Sequence, residues 1–153
     1  MTATPPNATT ATEESPSTVA SRYQQLRSHL AELKLTAAAE ALPAVLDQAT
    51  VEGLSLTVAL ERLLAVEVEA STARRLASRL RFACLPTPAT LDDFDVDSAA
   101  GIDRKLIDEL GTCRYLESAT NILLIGPPGT GKTHLSVGLA RAAAHAGYRT
   151  YFT

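Results

Sequence analysis

Gly126-Pro127-Pro128-Gly129-Thr130-Gly131-Lys132-Thr133 follows the apolar run Asn121-Ile122-Leu123-Leu124-Ile125. The octet fits G-x-x-x-x-G-K-[ST] at every constrained position. The run before it has the character of a short strand buried on both faces. From Lys132 to Ala146 an amphipathic stretch carries Leu135, Leu139 and Ala142 on one side, and Gly147 ends it. Tyr148-Arg149-Thr150-Tyr151-Phe152-Thr153 then reads as a second strand. The order strand, glycine loop, helix, strand predicts one βαβ unit of a parallel sheet.

The loop's residue types suit a phosphate. Glycines let the backbone curl without a Cβ in the way. Successive N–H groups then point at the anion, and the helix beginning near Lys132 adds its partial positive end. Lys132 is expected to reach the β- and γ-phosphates, and Thr133 to place its hydroxyl on Mg²⁺. Gly126, Pro127, Pro128, Gly129, Thr130 and Gly131 form the cradle. Phosphoryl transfer also needs a carboxylate on a later strand. From His134 to Thr153 there is no Asp or Glu, so no complete catalytic set is expected here, and hydrolysis stays an open question. A small phosphate-loop kinase would need acceptor-site residues after the second strand, and none is visible.

Outward from the loop the chain is rich in helix formers. Of 153 residues, 26 are Ala and 22 are Leu, which argues against an all-β sandwich or barrel. Residues 1–18 hold six Thr, three Pro and no Val, Leu, Ile or aromatic residue, and read as a disordered tail. Residues 19–85 read as a helical domain. One stripe is Val19, Tyr23, Leu26, Leu30 and Leu33; a second is Leu35, Ala39, Leu42, Leu46 and Ala49. Pro43 is expected to kink or restart the second helix. Gly53 suits a helix end and Ser55 the next N-cap. A long helix is predicted from Leu56 to about Ala83. Residues 86–120 form a connector with a short helical pattern through Ile102, Leu106, Leu110 and Leu116, and 121–153 begin the phosphate-loop domain. The expected fold class is α/β: a helical N-terminal domain followed by a truncated phosphate-loop parallel-sheet domain.

Net charge is −3, with 14 Lys+Arg against 17 Asp+Glu, which excludes a wholesale polycation but not a local basic face. Arg74, Arg75, Arg79 and Arg81 crowd into eight residues. Arg74 lies near Arg81 around the helix, and Arg75 near Arg79. They read either as a solvated face paired with Glu67 and Glu69 or as a contact for DNA phosphate. Cys84 and Cys113 lack metal-ligand spacing and read as two reduced thiols. Asp93, Asp95 and Asp97 begin like a calcium loop, but Ser98 and Arg104 stand where it needs Gly and Glu. No apolar run approaches the ~20 residues of a membrane span, and no signal peptide is visible, so the expected compartment is the cytoplasm.

From about Tyr23 onward the chain resembles the IstB-like transposition helper ATPases of insertion sequences, AAA+ proteins close to the DnaC-type helicase loaders. The leader from Leu26 to Leu85 carries the match, with its LKLTAAAEALPAVLDQA and EGLSL segments. So do Leu85-Pro86 with Thr90-Leu91-Asp92-Asp93-Phe94-Asp95, the stretch from Asn121 to Leu135, and Ala146-Gly147-Tyr148-Arg149. Ala89 stands where the family usually has Lys, Pro43 interrupts a helix that is usually unbroken, and the chain stops before the Walker B acid, the sensors and any arginine finger. The resemblance implies ATP with Mg²⁺, DNA and a transposase as partners, and a homo-oligomer in the full-length family. A helicase-loader-like role in replication and an inactive gene remnant are the alternatives.

Overall fold

The structure is a computed structural model that describes residues 16–96, 99 and 102–153. The expected tail lies outside the described residues as far as residue 15, and so does Asp97 of the acidic connector. Among the described residues there are six helices: α1 (Pro16–Glu32), α2 (Thr36–Glu52), α3 (Leu56–Phe82), α4 (Arg104–Gly111), α5 (Arg114–Glu117) and α6 (Lys132–His145). The chain divides into two compact units, Met1–Ala70 and Ser71–Thr153. None of these helices is long and apolar enough to cross a membrane.

In the first unit Leu30, Ala38, Ala39, Leu42 and Leu63 form the core, with Tyr23, Leu35 and Val45 packed against it. The two predicted stripes supply most of it, because residues three and four apart share a helix face. α2 runs through Pro43 without restarting. Its end is the predicted one: Gly53 sits in the left-handed region at φ 63° and its N–H donates to Ala49 O. Ser55 Oγ accepts the Val58 N–H at 3.4 Å, as a cap for α3 should. The start of α2 has no cap of its own, since Leu35 precedes it. Glu67 of α3 serves instead: its Oε2 accepts the Ala38 N–H at 3.0 Å, and both residues are buried. Leaving that amide buried and unpaired costs about 1–3 kcal/mol. Glu67→Ala should therefore lower stability by about that amount, and Glu67→Gln, which keeps an acceptor, by less. Urea unfolding monitored by circular dichroism measures both.

In the second unit Phe94, Ala99, Ile107 and Leu135 form the core, with Leu91, Ile102 and Leu124 against it. Asp103 caps α4 by accepting the Lys105 N–H at 3.1 Å. The connector lies along α6, and polar side chains of α6 hold its backbone carbonyls. Arg141 Nε donates to Ala89 O at 3.1 Å, and His134 Nε2 lies 2.9 Å from Thr90 O. Leu91 packs over Gly138, so closely that an added Cβ would stand 2.7 Å from Leu91 Cδ2 and 3.1 Å from its backbone N. Gly to Ala inside a helix ordinarily gains up to about 1 kcal/mol. Overpacking of this kind costs about 1–3 kcal/mol, so it decides the sign. Gly138→Ala should lower the melting temperature of the folded chain; a rise would mean the connector does not press on α6 in solution.

The expected parallel sheet is not there. Among the described residues there is no strand and no ladder: 121–127 and 148–153 carry no regular secondary structure. The segment expected to be buried on both faces is covered on one. Ile122 and Leu124 are half-buried, whereas Leu123 and Ile125 are 81% and 83% exposed. The physical reason is that a strand exists only through hydrogen bonds to neighbours. These two stretches do not bond to each other; instead the Phe152 N–H donates to Ala83 O at 2.9 Å. The α/β assignment is thus corrected to an all-helical described structure. α6 keeps its predicted place between Gly131 and Gly147.

Candidate functional site

The loop Gly126–Gly131 leads directly into α6. Gly129 and Gly131 hold φ angles of 83° and 79°, a left-handed conformation that a Cβ disfavours. Gly131 is the N-cap and offers no side-chain cap. The first intrahelical bond runs from Leu135 N to Gly131 O, so the amides of Lys132, Thr133 and His134 are left without an intrahelical acceptor. They form a cluster of donors at the positive end of the α6 dipole.

Lys132 folds back over this loop. Its Nζ donates to Pro127 O at 2.6 Å and to Thr130 Oγ1 at 3.4 Å. Thr130 Oγ1 in turn donates to Pro127 O at 2.9 Å. The ammonium is therefore held on the loop by neutral oxygens, where an anionic oxygen would bind it more strongly. Thr133 stands exposed in the first turn of α6. Beside the loop lies a cavity of about 310 Å³ with apolar walls that include Leu91, Leu106, Leu123 and Ile125; Thr130 and Lys132 line it too. No group of three His, Cys, Asp or Glu residues that could hold a metal ion occurs among the described residues.

One contact was not legible from the motif. Phe94 of the connector is buried against the loop, and a Cβ on Gly131 would stand 2.5 Å from its Cε2. The Phe94 ring also meets His134 edge-on, with centroids 5.6 Å apart. The loop is thus backed by an aromatic ring from 37 residues upstream.

The four arginines are split. Arg75, Ser78, Arg79 and Phe82 share one face of α3 and line a second cavity, of about 640 Å³, with Gly147, Arg149 and Thr150. Arg74 and Arg81 are exposed and do not line it. Both cysteines are free thiols. Cys113 is the buried one, and that burial pushes its thiol pKa up, away from the reactive thiolate.

A family profile described as IstB-like ATP binding protein matches residues 28–153. A protein of Pseudomonas aeruginosa, named as an ATP-binding protein of insertion sequence IS21, is 37% identical over 123 residues, covering 80% of this chain and 46% of its own. Its counterpart from insertion sequence IS5376 of Geobacillus stearothermophilus is 33% identical over 129 residues, 84% of this chain and 51% of its own. A third, IS21-like, from Bacteroides fragilis strain YCH46, is 34% identical over 134 residues, 88% of this chain and 67% of its own. The chain spans about half the length of the first two.

Proposed function

Since the chain belongs to the IstB-like ATP binding proteins, we propose that it binds the phosphates of ATP with Gly126–Thr133 and serves insertion-sequence transposition as a nucleotide-dependent helper. The observation that carries the proposal is the Lys132 ammonium, 2.6 Å from Pro127 O, above a loop with two left-handed glycines. Phosphate oxygens replace Pro127 O as its acceptor and take the orphan amides of the first α6 turn. The apolar cavity beside the loop suits the flat face of the base. Mg²⁺ keeps most of its ligands from water and phosphate, so a single protein hydroxyl, that of Thr133, is enough to orient it.

Relatives named for insertion sequences favour the transposition setting over helicase loading. DNA and a transposase are the partners in this reading, and the assembly is a homo-oligomer. Its ATP part is tested with a fluorescent ATP analogue displaced by ATP, with and without Mg²⁺. Affinity should rise with Mg²⁺ in the parent chain. In Thr133→Ala that gain should shrink severalfold while the metal-free affinity stays. An equal Mg²⁺ gain in both proteins would remove Thr133 from the site.

A further inference from the structure

The cavity between α3 and the segment after α6 carries chemistry that the phosphate loop does not use. Arg75, Ser78, Arg79 and Phe82 follow the i, i+3, i+4, i+7 spacing, which puts them in one row along α3. Such a row in the first unit of this chain is apolar; this one carries two guanidiniums. Arg149, with Gly147 and Thr150, forms the opposite wall. The walls are tied together at two points. Arg79 Nε donates to Ala144 O at 2.8 Å, and the Phe152 N–H donates to Ala83 O at 2.9 Å.

Three arginines therefore converge on one hollow of about 640 Å³, and none of its lining residues is acidic. Arg75 and Arg149 are exposed and keep their forked donors for a ligand. Thr150 Oγ1 is buried without a hydrogen-bond partner. An unsatisfied hydroxyl on a residue of the lining marks a place where an acceptor or donor is missing. Phe82 is 69% exposed at the same site. Exposed phenyl beside clustered arginine matches the way single strands are held, with the base stacked on the ring and the backbone on the cations.

We propose that this cavity binds a single strand of nucleic acid, with Arg75, Arg79 and Arg149 on its phosphates and Phe82 against a base. The proposal rests on the nucleic-acid part of the function given above, not on its ATP part. An isolated phosphate would need the arginines but not the ring, and a duplex would hide the base faces that the ring requires.

The test is fluorescence anisotropy of a short labelled oligo(dT) with the full chain over a series of salt concentrations. Arg75→Gln and Arg149→Gln should each weaken binding severalfold and flatten the log–log salt slope by about 0.7. Arg75→Lys, which keeps the charge, should retain the slope. Phe82→Ala should weaken binding about tenfold with the slope unchanged. Lys132→Ala, assayed in parallel for ATP and for oligo(dT), should lose only the ATP, which keeps a failure at the loop separate from a failure here. Unchanged affinity and slope in Arg75→Gln and Arg149→Gln would overturn the proposal. So would an inert Phe82→Ala, whether pyrophosphate displaces the strand, which would leave a free oxyanion site, or a duplex binds equally well.

Discussion

Lys132→Ala lowers the affinity for ATP at least tenfold when the two proteins are compared by titration calorimetry. A charge-assisted hydrogen bond is worth about 1.5–3 kcal/mol, and 1.4 kcal/mol is a factor of ten. The ammonium first has to leave Pro127 O and Thr130 Oγ1, which lie at 2.6 and 3.4 Å. Those are neutral oxygens at an exposed site, so giving them up offsets only part of the gain from phosphate. For the same reason the substitution should leave the melting temperature nearly unchanged. Equal ATP affinity in mutant and parent would refute the assignment of the loop.

Gly131→Ala produces a loss of ATP binding comparable to that of Lys132→Ala although the lysine is still there, and it also destabilises the second unit. Two penalties add. A left-handed alanine costs about 1–2 kcal/mol. The new Cβ also stands 2.5 Å from Phe94 Cε2, inside the core formed by Phe94, Ile107 and Leu135. Gly129 makes the matching control. Its φ of 83° is almost the same, but nothing lies within 4 Å of its added Cβ. Gly129→Ala should pay for strain alone. The difference between the two melting temperatures isolates the collision with the ring. In a Phe94→Ala background, itself destabilised by loss of a core ring, Gly131→Ala should lower the melting temperature no further than Gly129→Ala does. If both single variants melt alike, Phe94 does not back the loop.

The helices and the loop were legible because their signals are local. Gly53 and Gly147 end helices by their own conformational freedom, and the places of Leu30 on α1 and of Ala39 and Leu42 on α2 are set by the helical period. What joins distant positions was not legible. Glu67 looked like one partner of a charged face, yet it is a buried acceptor for Ala38, whose need arises only because Leu35 cannot cap α2. Phe94 meets Gly131, and Arg149 shares a cavity with Arg75, across long stretches of chain that no periodicity links. The sheet shows the converse failure. The run from Ile122 to Ile125 has the side chains of a buried strand, but pattern fixes which faces are apolar and does not supply neighbours. Leu123 and Ile125 accordingly face outward.

The placement of the phenylalanines opens a spectroscopic route. The chain has only three, Phe82, Phe94 and Phe152. Phe94 touches the loop, Phe82 lines the arginine cavity, and Phe152 ties its backbone to Ala83. Uniform incorporation of fluorophenylalanine gives a three-line fluorine spectrum in which each ligand addresses a different resonance. ATP should move the line of Phe94 and oligo(dT) that of Phe82. A shift of both lines by either ligand alone would expose energetic communication between nucleotide and strand within a single chain.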